Sequence, residues 1–196
     1  MTMETRPGFD QPMRLMSDCH RRIERFLHAL DRMVEAARGG PLVDEQREML
    51  EAALRYFDGM ARLHTADEEE SLFPRLRRRT AETRSETAHE SLLAWLDGLE
   101  ADHGQVDAAH REVDRLARRW LAADGLSPAD LGRLDALLAD LCATYRQHIQ
   151  REDEQVFPAA GRLLDIDDLA AIGVEMATRR GGMTCAQRKA QQRARS

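Results

Sequence analysis

Two stretches of the chain repeat histidine and carboxylate residues at the same spacing. The first, HTADEEESLFP, runs from His64 to Pro74, and the second, HIQREDEQVFP, runs from His148 to Pro158. Five of the eleven positions are identical: His, Glu, Glu, Phe and Pro. A glutamate follows each leading histidine by four residues, and positions four apart lie one above the other on one face of an α-helix. Each histidine and glutamate pair can therefore point at one ion.

The residue types in these stretches indicate which ion. Imidazole and carboxylate ligands without thiolates suit iron or manganese, and zinc less specifically. The three cysteines, Cys19, Cys142 and Cys185, are odd in number and unrelated in spacing, so they predict neither a disulfide framework nor a cysteine-based zinc site. A bound cation would also offset the cost of placing carboxylates in an apolar interior.

Composition predicts that helices position these side chains. The chain has 196 residues, of which 42% are hydrophobic, 5% aromatic and 33% charged. This length suits one well-packed core, and runs rich in Ala, Leu, Arg, Glu and Asp favour an all-α fold. Glycine, proline and polar segments divide the chain into four long helices at about 13–38, 43–78, 84–122 and 128–162. Pro74 and Pro158 should bend or break the last turns of the second and fourth helices, and Asp165 should cap a short fifth helix that reaches Thr178.

Each long helix carries an apolar stripe in alternating steps of three and four residues, which is typical of helical bundles. A histidine interrupts every stripe, and a glutamate follows one turn later in the second and fourth helices. The interrupting residues are His20, His64, Glu68, His103, His148 and Glu152. In an antiparallel bundle, two residues share a level when the midpoint of their numbers falls in the connecting turn. This holds for each pair of consecutive histidines, so we expect an up-down-up-down four-helix bundle with all six side chains in one layer. Six ligands suit two ions, with the two glutamates bridging.

Other polar residues near the motifs have more ordinary interpretations. The acidic residues Asp67, Glu69 and Glu70 are interpreted as a solvent-exposed face of the second helix. For Asp67 this interpretation is favoured because its counterpart in the second stretch is Arg151, which no ligand position would tolerate.

Four further residues lie near the predicted ligands, and none of them is assigned as a ligand. Glu24 and Asp107 lie four residues after the histidines of the first and third helices but flank the stripes, so we interpret them as surface groups or as neighbours of the ligands. His110 lies ~10 Å along the helix axis from the cluster, at 1.5 Å rise per residue, and is assigned to core packing or to a supporting role. Tyr145 is interpreted as a core tyrosine near the predicted site.

The doubled HxxxE motif, each copy followed five residues on by Phe-Pro, with a lone histidine before each copy, resembles hemerythrin-like proteins of the HHE cation-binding type. The resemblance covers about residues 13 to 162. It implies a four-helix bundle holding two iron ions with an oxo or hydroxo bridge, and manganese or zinc as substitutes for iron. The implied ligands are the six residues of the layer. Oxygen-carrying hemerythrins have a second histidine one turn after that of the third helix, where this chain has Asp107, and an Asp at a slightly wider spacing on the fourth.

The resemblance implies a protein that binds or senses oxygen, nitric oxide, peroxide or redox state, rather than a dedicated enzyme. A ferroxidase, a peroxidase-like oxidoreductase and an iron-homeostasis protein are alternatives. A third class is a metal-responsive regulatory module that binds a partner. The expected ligand of the site is a diatomic molecule or peroxide, and the chain could be a monomer or a homodimer.

The remaining segments bear on partners and location. Residues 1–12 are assigned to an N-terminal extension, 13–162 to the bundle, 163–178 to the short helix and 179–196 to a tail. The tail carries six basic and no acidic residues, and the rest of the chain carries 23 basic against 35 acidic residues. Such a tail is expected to be solvated and disordered, and without aromatic residues it is not expected to bind nucleic acid. No segment has the apolar length of a membrane span or signal peptide, so we expect a cytoplasmic protein with no membrane partner. The single lysine against 28 arginines indicates a GC-rich bacterial genome.

Overall fold

The structure, a computed structural model, describes residues 7–82 and 86–181, which form helices and their connections and contain no strand. The α-helices are α1 (Pro12–Ala37), α2 (Asp44–Tyr56), α3 (Arg62–Asp67), α4 (Phe73–Glu82), α5 (Glu86–Ala122), α6 (Pro128–Arg151), α7 (Phe157–Leu163) and α8 (Ile166–Arg179). Three π-helical segments, π1 (Phe57–Ala61), π2 (Glu68–Leu72) and π3 (Glu152–Val156), join α2 to α3, α3 to α4 and α6 to α7. Four long helices and a short fifth result, as the sequence predicts. None of the helices in these described ranges is both long and apolar enough for a membrane crossing.

The four long helices form one bundle. Helix α1 packs against α2 and α6, and α5 packs against α6, α2 and α4. At one end, the backbone N–H of Leu126 donates to the carbonyl of Gly39 over 2.8 Å, and the indole N–H of Trp120 donates to the carbonyl of Gly40 over 2.8 Å. The first and third connections therefore lie together. This is the arrangement of an up-down-up-down bundle, and the predicted all-α fold is confirmed.

The core consists of two apolar clusters separated by a polar layer. On α1, Met16 belongs to one cluster and Ile23 to the other, and the histidine between them is buried. On α5, Leu99 and Val106 are divided between the clusters in the same way. The apolar stripe thus continues on both sides of the layer, and burial of these side chains, at about 25 cal/mol per Å² of apolar surface, holds the polar layer in place.

The prediction that Pro74 and Pro158 bend or break their helices is wrong about breaking, because the helices continue past both prolines. Segments π2 and π3 immediately precede these turns and begin at Glu68 and Glu152. The residue before each proline donates its backbone N–H to the carbonyl of that glutamate, five residues earlier. The wider π turn accommodates a proline ring that would clash with the carbonyl four residues back in an α-helix.

The short helix α8 is held against the bundle by ion pairs. Its first residues are capped by Asp165, which accepts from two backbone N–H groups of the first turn, as predicted. Arg75 of α4 pairs with Glu175 of α8 over 2.7 Å, and Arg78 donates to Asp168 over 2.6 Å. Because α8 also packs against α3, π2 and α1, it covers one side of the first HxxxE motif.

The prediction of a solvated Asp67 is wrong for this reason. Asp67 is fully buried, and its carboxylate accepts from Arg179 over 3.0 Å and from Arg180 over 2.5 Å. Both arginines were assigned by composition to the basic tail, yet they contact the bundle; residues 182–196 lie outside the described part. The comparison of Asp67 with Arg151 fails because α8 packs against the first HxxxE motif. The two motifs therefore have different surroundings.

Candidate metal centre

The structure brings the six candidate ligands into one buried layer. Their side chains form two overlapping groups of four, His20, His64, Glu68 and Glu152 in one and Glu68, His103, His148 and Glu152 in the other. Within each group, one potential ligand atom per residue lies within 4.8 Å of the others. Each group takes two histidines from one half of the chain, and both groups share both glutamates. The layer thus contains two overlapping groups of side chains, each of which could hold a metal ion.

The glutamates lie between the two histidine pairs. The carboxylate of Glu68 approaches Nε2 of His64 at 3.1 Å and Nε2 of His103 at 3.4 Å. The carboxylate of Glu152 approaches Nε2 of His20 at 3.0 Å and Nε2 of His148 at 3.4 Å. Each carboxylate therefore reaches one histidine from each half of the chain.

Unpaired polar atoms show that the layer fits bound cations. Both carboxylate oxygens of Glu68 and of Glu152, and Nε2 of His20, are buried and make no hydrogen bond. These atoms approach each other closely but are not aligned as donors and acceptors. Leaving buried polar groups unpaired costs about 1–3 kcal/mol each, and more when they are charged. Cations between them would remove this cost, and the donor set of imidazoles and carboxylates suits iron or manganese.

Two carboxylates outside the layer orient its histidines. Glu69 lies 2.8 Å from Nδ1 of His103, and Asp153 lies 3.1 Å from Nδ1 of His20 while accepting from the Ser17 hydroxyl over 2.8 Å. A carboxylate on Nδ1 leaves Nε2 free to face a metal and fixes the ring. Glu69 and Glu70 are exposed, as the sequence predicts, but the contact of one Glu69 carboxylate oxygen with His103 was not predicted. The available signal was that an acidic residue follows the motif glutamate in both copies.

The remaining two histidines are held differently. Nδ1 of His148 lies 3.4 Å from Asp102, a weak contact, and Nδ1 of His64 has no hydrogen-bond partner. Burial lowers the pKa of His64 to about 3 and that of His148 to about 4. Both rings are therefore neutral at neutral pH, the form in which imidazole binds metals.

Three other groups of the layer, His20, His103 and Glu152, hold protons at neutral pH when no metal is bound. Burial alone would lower the pKa of His20, but Asp153, Glu152 and Glu68 raise it to about 12. Burial likewise opposes protonation of His103, but Glu68 contributes to raising its pKa to about 9. Burial, reinforced by Glu68, raises the pKa of Glu152 to about 8, whereas the surrounding imidazoles hold the pKa of Glu68 well below its usual range despite burial. Metal binding must displace these protons.

Neither of the two weighed carboxylates belongs to the layer. Glu24 is exposed on α1, and Asp107 pairs at the surface with Arg62 over 3.3 Å and with Arg111. In the described part of the chain, both lie outside the groups of residues that could hold a metal ion. Their interpretation as surface groups agrees with this placement.

A cavity of about 730 Å³ lies between α5 and the helix formed by α2, π1 and α3, and His103 is on its wall. His110 and Tyr145 also line it, with His110 Nε2 and the Tyr145 hydroxyl 3.0 Å apart. The His110 ring stacks on Phe57 at 4.3 Å, and burial lowers the pKa of His110 to about 4. His110 therefore packs outside the layer, as its distance along α5 predicts, and the cavity that it lines also reaches His103.

A four-helix bundle with a buried layer of four imidazoles and two shared carboxylates defines a class of helical cation-binding proteins. Residues 11–160 match the hemerythrin HHE cation binding domain. The chain therefore belongs to the hemerythrin HHE cation-binding family, and the resemblance seen in the motifs is confirmed. A comparison with curated proteins gave no match.

Proposed function

We propose that this protein holds two iron ions through His20, His64, Glu68, His103, His148 and Glu152, and that it binds or senses oxygen, nitric oxide or peroxide at these ions. The observation that carries the proposal is the sharing of both glutamates by two overlapping groups of four ligands. One ion would need only one such group. Manganese or zinc could take the same positions, since the donor atoms do not exclude them.

The chain contributes binding, orientation and exclusion of water. The four imidazoles would hold the ions, two on each, while Glu69 and Asp153 keep two of the rings aimed at them. The apolar clusters on both sides of the layer keep bulk water away. When bound, the iron pair supplies the electrons and the open coordination positions that a small oxidant or nitric oxide requires.

A second candidate is an oxidoreductase, of the ferroxidase or peroxidase-like type. The cavity that reaches His103 favours it, because five carboxylates against three guanidinium groups line this cavity and attract ferrous ions. Repeated turnover of ferrous iron or peroxide by the purified protein would support this candidate, and a single binding event without turnover would support the first.

The metal proposal is tested by metal analysis together with an absorption spectrum. Protein from iron-replete cells should contain about two irons per chain. In its oxidised form it should absorb in the near ultraviolet, as the oxo-bridged ferric pair of this family does. One zinc per chain after iron-replete growth would contradict the proposal, and a featureless spectrum at full iron loading would contradict the bridge.

Matched variants distinguish ligands from neighbouring carboxylates. Glu68→Ala and Glu152→Ala should each lose most of the bound iron, because each removes a carboxylate shared by both positions. Glu24→Ala and Asp107→Ala remove surface carboxylates from the other two long helices and should retain it. Retention of two irons by Glu152→Ala, or loss of iron from Asp107→Ala, would show that the ligands are assigned wrongly.

A further inference from the structure

The cavity beside α5 meets the metal layer on one side only. His103 and its partner Glu69 lie on the cavity wall, whereas His20 and His64 do not. The His20 ring lies 5.4 Å from the ring of Phe157 and 4.8 Å from that of His64, and none of these three residues lines the cavity. A molecule that enters the cavity therefore arrives beside the group of ligands that contains His103.

Two positions on α5 leave space next to His103. Asp107, one turn further on, directs its carboxylate to Arg62 and Arg111 at the surface rather than to the layer. Gly104 lines the cavity, and a Cβ atom placed on it would meet nothing within 4 Å. The open space is thus a consequence of residue choice on α5, and a larger side chain at Gly104 could occupy it.

The size and charge of the cavity restrict what it can hold. About 730 Å³ lies in the range of small-molecule sites, which is typically ~300–1,000 Å³. Five carboxylates and three guanidinium groups line it, so with neutral histidines its lining has a net charge of −2. Such a lining repels anions. The apolar part of the wall, which includes Leu54, Phe57 and Val106, favours an uncharged molecule with an apolar body.

We propose that external ligands reach the iron pair through this cavity, on the His103 side, and that it takes uncharged donor molecules as large as a five-membered ring in preference to anions. The proposal rests on the proposed iron pair and adds the direction of approach and the class of ligand. The hydrogen-bonded pair of His110 and Tyr145 supplies a polar contact beside the apolar residues of the wall.

The test measures the rate at which a ligand associates with the iron-loaded full chain, and this rate is monitored by stopped-flow absorption. Imidazole at about pH 8, where it is largely uncharged, is the ring-sized probe, and azide is the anionic probe. Gly104→Phe fills the space beside His103. Gly132→Phe is the matched control, because Gly132 lies exposed within α6 and a Cβ atom there also meets nothing within 4 Å. Both changes replace a helical glycine by a better helix former.

Gly104→Phe should slow imidazole association by about tenfold or more, within the one to three decades over which association rates vary among variants of one site. Gly132→Phe should stay within about twofold of wild type. Iron content and the spectrum before ligand addition should be the same in all three proteins. In wild type, azide should associate more slowly than imidazole, and added salt should reduce the difference because it screens the lining charges.

The possible failures are distinguishable. Equal imidazole rates for Gly104→Phe and wild type at equal iron content would overturn the proposed direction of approach, and faster azide than imidazole would overturn the proposed ligand class. Wild-type protein without iron would overturn the proposed function and this inference with it. Gly104→Leu, a smaller obstruction, should give intermediate slowing, and it provides the comparison if the larger side chain expels iron.

Discussion

The replacement Glu152→Gln tests the electrostatic cost of the metal layer directly. Glutamine has nearly the shape of glutamate but carries no titratable proton. In the metal-free protein, Glu152 is fully buried beside Glu68, and burial with that neighbouring carboxylate raises its pKa to about 8. The variant removes this titration while leaving the size of the side chain unchanged.

The magnitude follows from the difference between the folded and unfolded states. In the unfolded chain the carboxyl ionises near its ordinary pKa of 4.5, whereas the folded protein retains the proton until the pH approaches 8. Between these values the folded state binds more protons, so its stability falls as the pH rises, by about 1.4 kcal/mol per pH unit. At pH 7, metal-free Glu152→Gln should therefore be more stable than metal-free wild type by roughly 3 kcal/mol, and the two should converge as the pH falls toward 4.5.

The assay is urea unfolding of the metal-free proteins, followed by circular dichroism across this pH range. Glu24→Gln is the control, since it makes the same change at an exposed position of α1 and should track wild type. Iron-loaded wild type should exceed all metal-free forms, because a ligand that binds only the folded state stabilises it. If the free energy of unfolding of Glu152→Gln runs parallel to that of wild type and is lower at every pH, the cost assigned to burying the Glu152 carboxylate is refuted.

Three further predictions concern the surroundings of the layer. Asp67→Ala leaves Arg179 and Arg180 without their buried partner and should lower the free energy of unfolding by about 3–5 kcal/mol, whereas Glu70→Ala, which removes the more exposed partner of Arg179, should cost under about 1 kcal/mol in the same urea titration. Ending the chain after Arg180 should leave iron content and melting temperature nearly unchanged, because the deleted residues are basic, polar and without an apolar stripe; a loss of iron on this truncation would show that they pack on the bundle. Loading metal-free protein with ferrous iron at pH 7 in weak buffer should release about three protons per chain, because two imidazoles and one carboxyl of the layer have a pKa above 7; potentiometric titration that finds no release would contradict this protonation pattern.

The bundle and the composition of its polar layer could be predicted because both depend on spacing along single helices. The periodicity of each stripe shows that its histidine faces the core. Two residues that are equally far from the turn joining their helices lie at the same level. The positions of His20 and His103, which belong to no HxxxE pair, follow from this rule alone. No further information is then needed to predict which residues of the two repeated halves lie at the same level.

Features that depend on contacts found in only one half of the duplicated sequence could not be predicted in this way. Asp67 appears solvated when it is compared with its counterpart in the second motif, and only the docking of α8 buries it. The contact of Glu69 with His103 joins two helices whose relative rotation the spacing does not determine. The cavity beside Gly104 is set by side chains that are small or turned away, and periodicity gives no signal for these.

The π segments determine which face of the helix is buried beyond the metal layer. A π turn contains one residue more than the α turn it replaces, so the helical phase changes at Glu68. Beyond it, Leu72 and Leu76 are fully buried. If the same residues between Glu68 and Phe73 formed an ordinary α-helix instead, all of α4 would rotate by about 100°, turning Leu76 away from the core. The spacing from the motif glutamate to Phe-Pro therefore sets the hydrophobic register of the end of the helix, and the metal layer and the distal core cannot vary independently.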